Sequence, residues 1–557
     1  MATTQPPAPS ASQVPRLRGD LEVEPSGEDW TVSDAEGRIF RVSADIAALL
    51  RSIDGVRTCQ ELAGHLLRQT GRQWTPPAVA QALETFSAKR WLDEGRQQAG
   101  KPRRIRFVPP LTLQIGIFSP APFLNRIKPA LDRLIATRMV AIYILIICAG
   151  GVVLAASSRD VWHALTAPLP LSTYLAVVVA MMLSTMLHEM GHGATLTAFG
   201  GKPRQIGFML FYLTPAFFCD VSDGWRLDSK WKRVSVALAG IVTQGVLAGT
   251  SSLLSLAAGT PDIKSGLLVY AVLGYTSGII NLIPFVKLDG YLALMSYVNI
   301  SHLRDKSLRD ARRMISRGMF GHATPFELPP LRRFKVFGVL CMLFPAYLII
   351  TALSLWLDVI AKFGGWGAVI ALLVVTLVLG RVVAGYLNIV KEGWDRRRSK
   401  LRILAVTALL TAATAVSAAY VQIPATVEAG FVNDSTGPGI VFEQGDTVPA
   451  LRVGQAVEIY GSGLIGIRPL GTLRVESGQA DTRWVPLDAI APVTIDGARL
   501  NAVVIPLERQ DASLLPSSGT ARVHLGHKNA YQWFHDKYIQ PVIAAAGVLE
   551  GATADQP

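Results

Sequence analysis

Residues 171–199 read LSTYLAVVVAMMLSTMLHEMGHGATLTAF, an apolar stretch whose ionisable side chains, His188, Glu189 and His192, lie close to its end. The stretch is long enough to cross a bilayer as a helix. On a helix, positions four residues apart share one face, so His188 and His192 can offer both imidazoles to one zinc ion. Glu189 can reach a water held by that ion. Because ionisable side chains are costly inside a membrane, we predict a functional site here.

The composition favours a membrane protein. Of the 557 residues, 50% are hydrophobic and only 17% are charged, as expected for several membrane spans with soluble parts. The net charge is +13, but the basic residues cluster beside apolar stretches, so we attribute them to topology and predict no nucleic-acid partner. The C-terminal region contains no cysteine, which excludes a disulfide framework there.

Seven apolar stretches of about bilayer length are predicted to be transmembrane helices. They are Met139–Ser157, Leu171–Phe199, Val234–Gly259, Gly266–Val286, Val336–Leu357, Trp366–Leu387 and Ile403–Tyr420. Clusters of Lys and Arg precede the first stretch and follow the second, fourth and sixth, whereas the other three loops carry about one basic residue each. By the positive-inside rule, we predict a multi-pass protein of the inner or plasma membrane with a cytosolic N-terminus and an extracytoplasmic C-terminal region.

Soluble regions flank the membrane part. We divide the chain into a disordered tail (1–20), a small cytosolic domain (21–97), a basic linker (98–138), the membrane core (139–420), a β-rich extracytoplasmic domain (421–540) and a second tail (541–557). In the cytosolic domain, a hairpin around the turn Asp34–Gly37 precedes three amphipathic helices. The second helix begins with a capping box of Thr58 and Glu61. After residue 421, short runs of β type alternate with Gly, Pro, Asn and Asp.

A catalytic zinc site usually needs a third protein ligand. The best candidate is Asp289, in the segment NLIPFVKLDG (residues 281–290), which we place at the cytosolic end of the fourth span. The second and fourth spans both run from outside to inside, so Asp289 and the two histidines are expected at similar depth. The apolar segment Gly207–Phe218 is too short to span, and we predict a re-entrant or hairpin element against the site.

The motifs H-E-x-G-H on one span and N-x-x-P-x-x-x-L-D-G on a later one resemble those of the site-2 protease family of intramembrane zinc metalloproteases. The stretch PAFFCDVSDGW (residues 215–225) is most similar to the family's branch of peptide zinc metalloproteases. The resemblance implies that His188, His192 and Asp289 bind zinc, that Glu189 is the general base and that Asn281 contacts the substrate backbone. Residues 239–244 (AGIVTQ) depart from the A-G-P-x-x-N pattern of many relatives.

The two soluble domains carry further resemblances. Residues 21–97 resemble the PqqD-like, winged-helix domains that grip the leader peptides of ribosomally made peptides, and a generic helical regulatory domain is the alternative. The segment that begins at Gly439 resembles parts of membrane-fusion adaptors. The predicted fold is therefore a polytopic α-helical membrane protein with about seven transmembrane helices around a site-2 protease core, a small α+β winged-helix-like N-terminal domain and a β-rich C-terminal domain.

Three functions are compatible with these features. The first is a membrane-embedded zinc endopeptidase that hydrolyses a peptide precursor or a single-span membrane substrate. The second is a catalytically silent membrane partner for peptide export or assembly with structural zinc, and the third is a metal or solute transporter. Glu189 favours the first over the second, since only hydrolysis needs a general base. A transporter would spread polar residues over several spans, whereas here they concentrate at one site.

Overall fold

A computed structural model of the chain describes residues 14–19, 21–26, 29–33, 39–71, 74–89, 91–93, 105–108, 112–211, 214–320, 325–328, 332–361, 364–394, 400–443, 448–465, 469–477, 479–491, 493–495, 497–508, 515–540 and 543. The predicted turn at 34–37 and most of both predicted tails lie outside the described residues. The chain divides into two compact units. One comprises Met1–Tyr143, Thr185–Gln244 and Asn281–Ser301, and the other comprises Ile144–Ser184, Gly245–Ile280 and His302–Pro557.

The N-terminal region is a three-stranded antiparallel sheet followed by three helices. The elements are β1 (Glu22–Ser26), β2 (Asp29–Ser33), β3 (Ile39–Val42), α1 (Ala44–Ser52), α2 (Cys59–Thr70) and α3 (Pro76–Ala88), with β2 at the centre of the sheet. Their core is apolar, with Leu49, Leu62 and Trp91 buried. The capping box is confirmed, because Thr58 and Glu61 bond reciprocally through side chain and backbone. Strand β1 was not predicted, since its two glutamates and its proline are unfavourable in strands.

The following region carries most of the long helices. Its elements are β4 (Ile105–Val108), β5 (Thr112–Phe118), α4 (Ala121–Arg126), α5 (Lys128–Leu134), α6 (Thr137–Ala156), α7 (Ser158–Thr166), β6 (Leu169–Pro170), α8 (Leu171–Ala198), β7 (Ile206–Phe211), β8 (Thr214–Cys219), α9 (Lys230–Leu254), α10 (Pro261–Asn281), α11 (Asp289–Val298), α12 (Leu303–Phe320), α13 (Arg332–Ala361), α14 (Gly364–Trp394) and α15 (Lys400–Tyr420). A short 3₁₀ helix, Ser222–Arg226, follows β8. Among the described residues, seven helices are long and apolar enough to cross a membrane, in agreement with the seven predicted spans.

The fourth predicted span ends earlier than expected. We predicted Gly266–Val286, but α10 ends at Asn281 and a non-helical segment separates it from α11. Pro284 lies in that segment, and proline has no backbone N–H and disfavours a helical conformation of the residue before it. Asp289 therefore begins a new helix instead of closing the fourth span, which corrects the predicted location.

The predicted hairpin at Gly207–Phe218 is present as the antiparallel pair β7 and β8. It belongs to a larger sheet, because β4 and β5 extend it in the order β4-β5-β7-β8. This order leaves β8 as an edge strand. Leu113, Ile115 and Phe208 are exposed and share one face of the sheet through the β5–β7 register.

The C-terminal region is β-rich, as predicted. Its elements are β9 (Gln422–Asp434), β10 (Gly437–Glu443), β11 (Ala456–Gly461), β12 (Gly471–Arg474), β13 (Asp481–Pro486), β14 (Val493–Thr494), β15 (Arg499–Pro506), β16 (Ser518–Asn529) and the short helix α16 (Ala530–Phe534). Seven strands form one sheet in the order β12-β11-β16-β9-β10-β15-β13. Its core includes Phe431, Ile440 and Val523. Within this second unit, β14 pairs with β6, and the Gly463 N–H donates to the Thr166 carbonyl.

Candidate metal centre

The three predicted zinc ligands come together in the first unit. His188 and His192 lie one turn apart on α8, and both side chains are buried. Their Nε2 atoms are 3.3 Å apart. Asp289, at the start of α11, has Oδ2 at 2.8 Å from His188 Nε2 and Oδ1 at 3.2 Å from His192 Nε2. The sequence separates Asp289 from His188 by 101 positions, so the fold, and not local spacing, assembles this set.

The donor set fits a zinc ion. Zinc lies about 2.0–2.1 Å from imidazole nitrogen, and tetrahedral geometry then separates two ligand nitrogens by about 3.3 Å. The 3.3 Å between the two Nε2 atoms matches that edge. Space for the ion is left by Gly240 on α9, since a Cβ there would lie 2.5 Å from His188 Nε2 and would also collide with His192 Nε2.

Each histidine has an outer partner on α9. His188 Nδ1 is 3.1 Å from the side-chain oxygen of Gln244, and His192 Nδ1 is 2.7 Å from the carbonyl oxygen of Val236. Both oxygens accept hydrogen bonds, so each Nδ1 carries a proton and each Nε2 keeps its lone pair. Such outer partners are typical of metal-binding histidines, whose orientation and tautomer they fix.

Glu189 lies beside this set. One ligand atom from each of His188, Glu189 and His192 lies within 4.8 Å of the others. The backbone of Cys219, at the end of β8, lies beside the Glu189 carboxylate. The predicted general base is thus located between the histidine pair and the end of β8.

The segment between α10 and α11 orients Asp289. Leu288 caps α11 in an extended conformation, and its carbonyl accepts the N–H groups of Tyr291 and Leu292. Gly290 is required by close packing, because a Cβ at this position would collide with the Leu282 carbonyl. The sequence L-D-G therefore places the predicted ligand Asp289 next to the small residue that allows the close packing against Leu282.

Asn281 is not joined to the metal-ligand set. It is the last residue of α10 and is partly buried. Within the part of the chain that the structure describes, no hydrogen bond links its side chain to His188, His192 or Asp289. Its predicted contact with substrate stays a prediction.

Two residues of the site were not singled out from the sequence. Gly240 and Gln244 both belong to AGIVTQ, the stretch that departs from the family pattern. The spacing offered a signal, since positions 240 and 244 share one face of a helix. It did not reveal which residues of α8 that face would meet, because helix pairing depends on tertiary packing.

The N-terminal sheet is ion-paired to the segment that follows β8. Arg226, in the 3₁₀ helix, contacts the carboxylates of Glu24 and Glu22 on β1. It also lies 3.4 Å from Asp223, which is buried and accepts the Lys202 N–H. The predicted cytosolic domain is thus connected to the chain a few residues beyond the Cys219 backbone that Glu189 contacts.

Comparison with known proteins gives a partial match. The chain is 29% identical over 129 residues to a Bacillus subtilis (strain 168) protein named "Putative peptide zinc metalloprotease protein YydH". The match covers 23% of this chain and 49% of that protein, so about half of the relative's length is spanned. The sequence matches no family profile. No solved structure is similar to the chain. The similarity supports a relationship to zinc metalloproteases.

Proposed function

We propose that this protein is a membrane-embedded zinc endopeptidase of the site-2 protease type. The observation that carries the proposal is the convergence of His188 Nε2, His192 Nε2 and the Asp289 carboxylate next to Glu189 and the space at Gly240. Two neutral imidazoles and one carboxylate leave a fourth coordination position open, which distinguishes catalytic from structural zinc sites.

The residues around the site can perform peptide hydrolysis. Zinc, when bound, supplies a Lewis acid that polarises a carbonyl and increases the acidity of water. Glu189 is the group that accepts the proton of the attacking water and transfers it to the leaving amine. Asp289 and the two histidines hold their donor atoms in place through the contacts with α9 and the turn before α11.

The substrate backbone is proposed to pair with β8. Helical peptide bonds are hydrogen-bonded and shielded, so a cleavable segment must be extended, and an edge strand offers free backbone groups to it. Asp220 N–H donates to the Gln205 carbonyl towards β7, and bonding direction alternates along an antiparallel strand. The N–H groups of Phe217 and Cys219 therefore face away from β7, on the side where Glu189 contacts Cys219.

The soluble domains are assigned to substrate handling. We propose that the protein resides in the cell membrane with the N-terminal domain in the cytosol, where a PqqD-like domain would bind the leader of a peptide precursor. The C-terminal domain would lie outside and serve an export partner or gate access. The partners in this proposal are the lipid bilayer and a peptide or single-span membrane protein as substrate.

The test compares host cells that carry the wild type or Glu189→Gln. Membrane and secreted peptides are analysed for new termini by mass spectrometry, and the zinc content of each purified protein is measured. We expect defined termini that depend on Glu189, with equal zinc in both proteins, because Glu189 is not one of the three ligands.

The alternative gives a different result. Identical peptide profiles with zinc bound in both proteins would contradict proteolysis and support the silent export or assembly partner. Absence of zinc from the wild type would contradict the metal centre. Asp289→Asn serves as the matched ligand variant, and we expect it to lose both zinc and cleavage.

A further inference from the structure

Three regularly spaced residues on one face of α9 lie against His188 and His192 of α8. Val236, Gly240 and Gln244 are spaced four residues apart and therefore share one face of the helix. The Val236 carbonyl contacts His192 Nδ1, the Gly240 Cα faces both Nε2 atoms, and the Gln244 side chain contacts His188 Nδ1. The order along α9 is opposite to the order along α8, so the two helices run antiparallel at the site.

The two histidines are held by partners of different kinds. The partner of His192 is a main-chain carbonyl, whose position is fixed by the helix. The partner of His188 is a side chain, so the orientation of His188 depends on the residue at position 244. Both His188 and Gln244 are buried, with 5% and 1% of their surfaces exposed. Water is thus a poor substitute for the Gln244 amide as the partner of Nδ1.

We infer that Gln244 is a positioning residue that holds His188 as the tautomer with a proton on Nδ1 and directs the Nε2 lone pair to zinc. A neutral imidazole has one donor nitrogen and one acceptor nitrogen. An acceptor at Nδ1 therefore leaves Nε2 free to bind metal, whereas loss of that acceptor allows the ring to rotate or to carry its proton on Nε2. The inference rests on the proposed zinc site.

The inference also explains the departure of AGIVTQ from the family pattern. Asparagine is one methylene shorter than glutamine, and the 3.1 Å contact is made by the longer side chain across two helices. At the present separation of α8 and α9, asparagine would fall short of His188 Nδ1. The length of the residue at 244 and the distance between the helices are thus matched in this chain.

The experiment measures zinc affinity of the purified full-length protein in detergent by competition with a chelator. Gln244→Met keeps the side-chain length and removes the amide, and we expect zinc affinity to fall about 10- to 100-fold, the range for loss of an outer partner. Gln244→Glu keeps an acceptor at the same place and should retain at least wild-type affinity. Gln244→Asn should resemble Gln244→Met.

Thr243→Val is the matched control, since among the described residues the Thr243 hydroxyl donates to the Ala239 carbonyl of its own helix and to neither histidine. Its zinc affinity should equal that of the wild type. Equal affinity of Gln244→Met and the wild type would overturn the inference while leaving the zinc site intact. Equal loss in Gln244→Met and Gln244→Glu would overturn it as well, since a packing role alone would then explain the loss. A wild type without zinc would contradict the proposed function itself.

Discussion

Gly240 is the residue that leaves room for the proposed zinc ion. Its Cα faces both Nε2 atoms, and a methyl group there would occupy the space beside the histidines. We expect Gly240→Ala to abolish zinc binding and cleavage, although alanine stabilises a helix by about 0.5–1 kcal/mol relative to glycine. The measurement is the zinc content of the purified protein together with its unfolding temperature.

Gly151→Ala is the corresponding control on α6. A Cβ at Gly151 meets nothing within 4 Å, so the same change in helix propensity occurs without a collision. Zinc content and cleavage should be those of the wild type. If Gly240→Ala still binds one zinc per chain with wild-type affinity, the metal does not lie between the two Nε2 atoms.

At the scale of elements, β8 is the strand on which the proposed substrate geometry depends. Phe217→Pro would remove an outward N–H and leave the bonds to β7 in place, and proline is tolerated on edge strands. One lost hydrogen bond of about 1 kcal/mol should slow cleavage about fivefold. Cleavage of the substrate identified with Glu189→Gln is the readout, with zinc content as the check on folding.

The control keeps the backbone donor. Phe217 packs edge-on against Phe208, so Phe217→Leu reproduces the loss of the aromatic ring while retaining the N–H. We expect it to cleave faster than Phe217→Pro. Equal rates for the two variants would contradict backbone pairing at β8. A wild-type rate in both variants would show that β8 does not contact the substrate.

Local sequence signals predicted the positions of helices better than they predicted which elements pack or pair with each other. The apolar stretches gave the seven long helices, and the Thr58–Glu61 capping box gave the start of α2. The sequence could not indicate that β4 and β5 join the hairpin, because strand pairing over 95 positions leaves no local pattern. For the same reason Gly240 and Gln244 were missed, whereas His188 and His192 were predicted as ligands from a motif with helical spacing, and Asp289 from a separate motif on a later span.

At the scale of the whole molecule, the parity of the membrane helices decides where the soluble domains lie. Seven spans are an odd number, so the regions before α6 and after α15 must lie on opposite sides of the membrane if every candidate helix crosses it. The clusters of Lys and Arg predict that the N-terminal side is cytosolic. The location of the N-terminal domain bears on the proposed function, since Arg226 connects its sheet to the segment after β8.

Cysteine labelling with a membrane-impermeant maleimide tests this arrangement. Glu84 on α3 and Glu476 after β12 are exposed, so Glu84→Cys and Glu476→Cys report on the two soluble domains. In sealed right-side-out vesicles we expect labelling of Glu476→Cys only, and of both after detergent is added. The parent chain gives the background of its four cysteines, of which Cys59 and Cys341 are buried. Labelling of Glu84→Cys alone would show that the orientation is the reverse of the predicted one. A reagent that cannot cross the bilayer reaches only one side, so labelling of both variants in sealed vesicles would contradict an odd number of crossings.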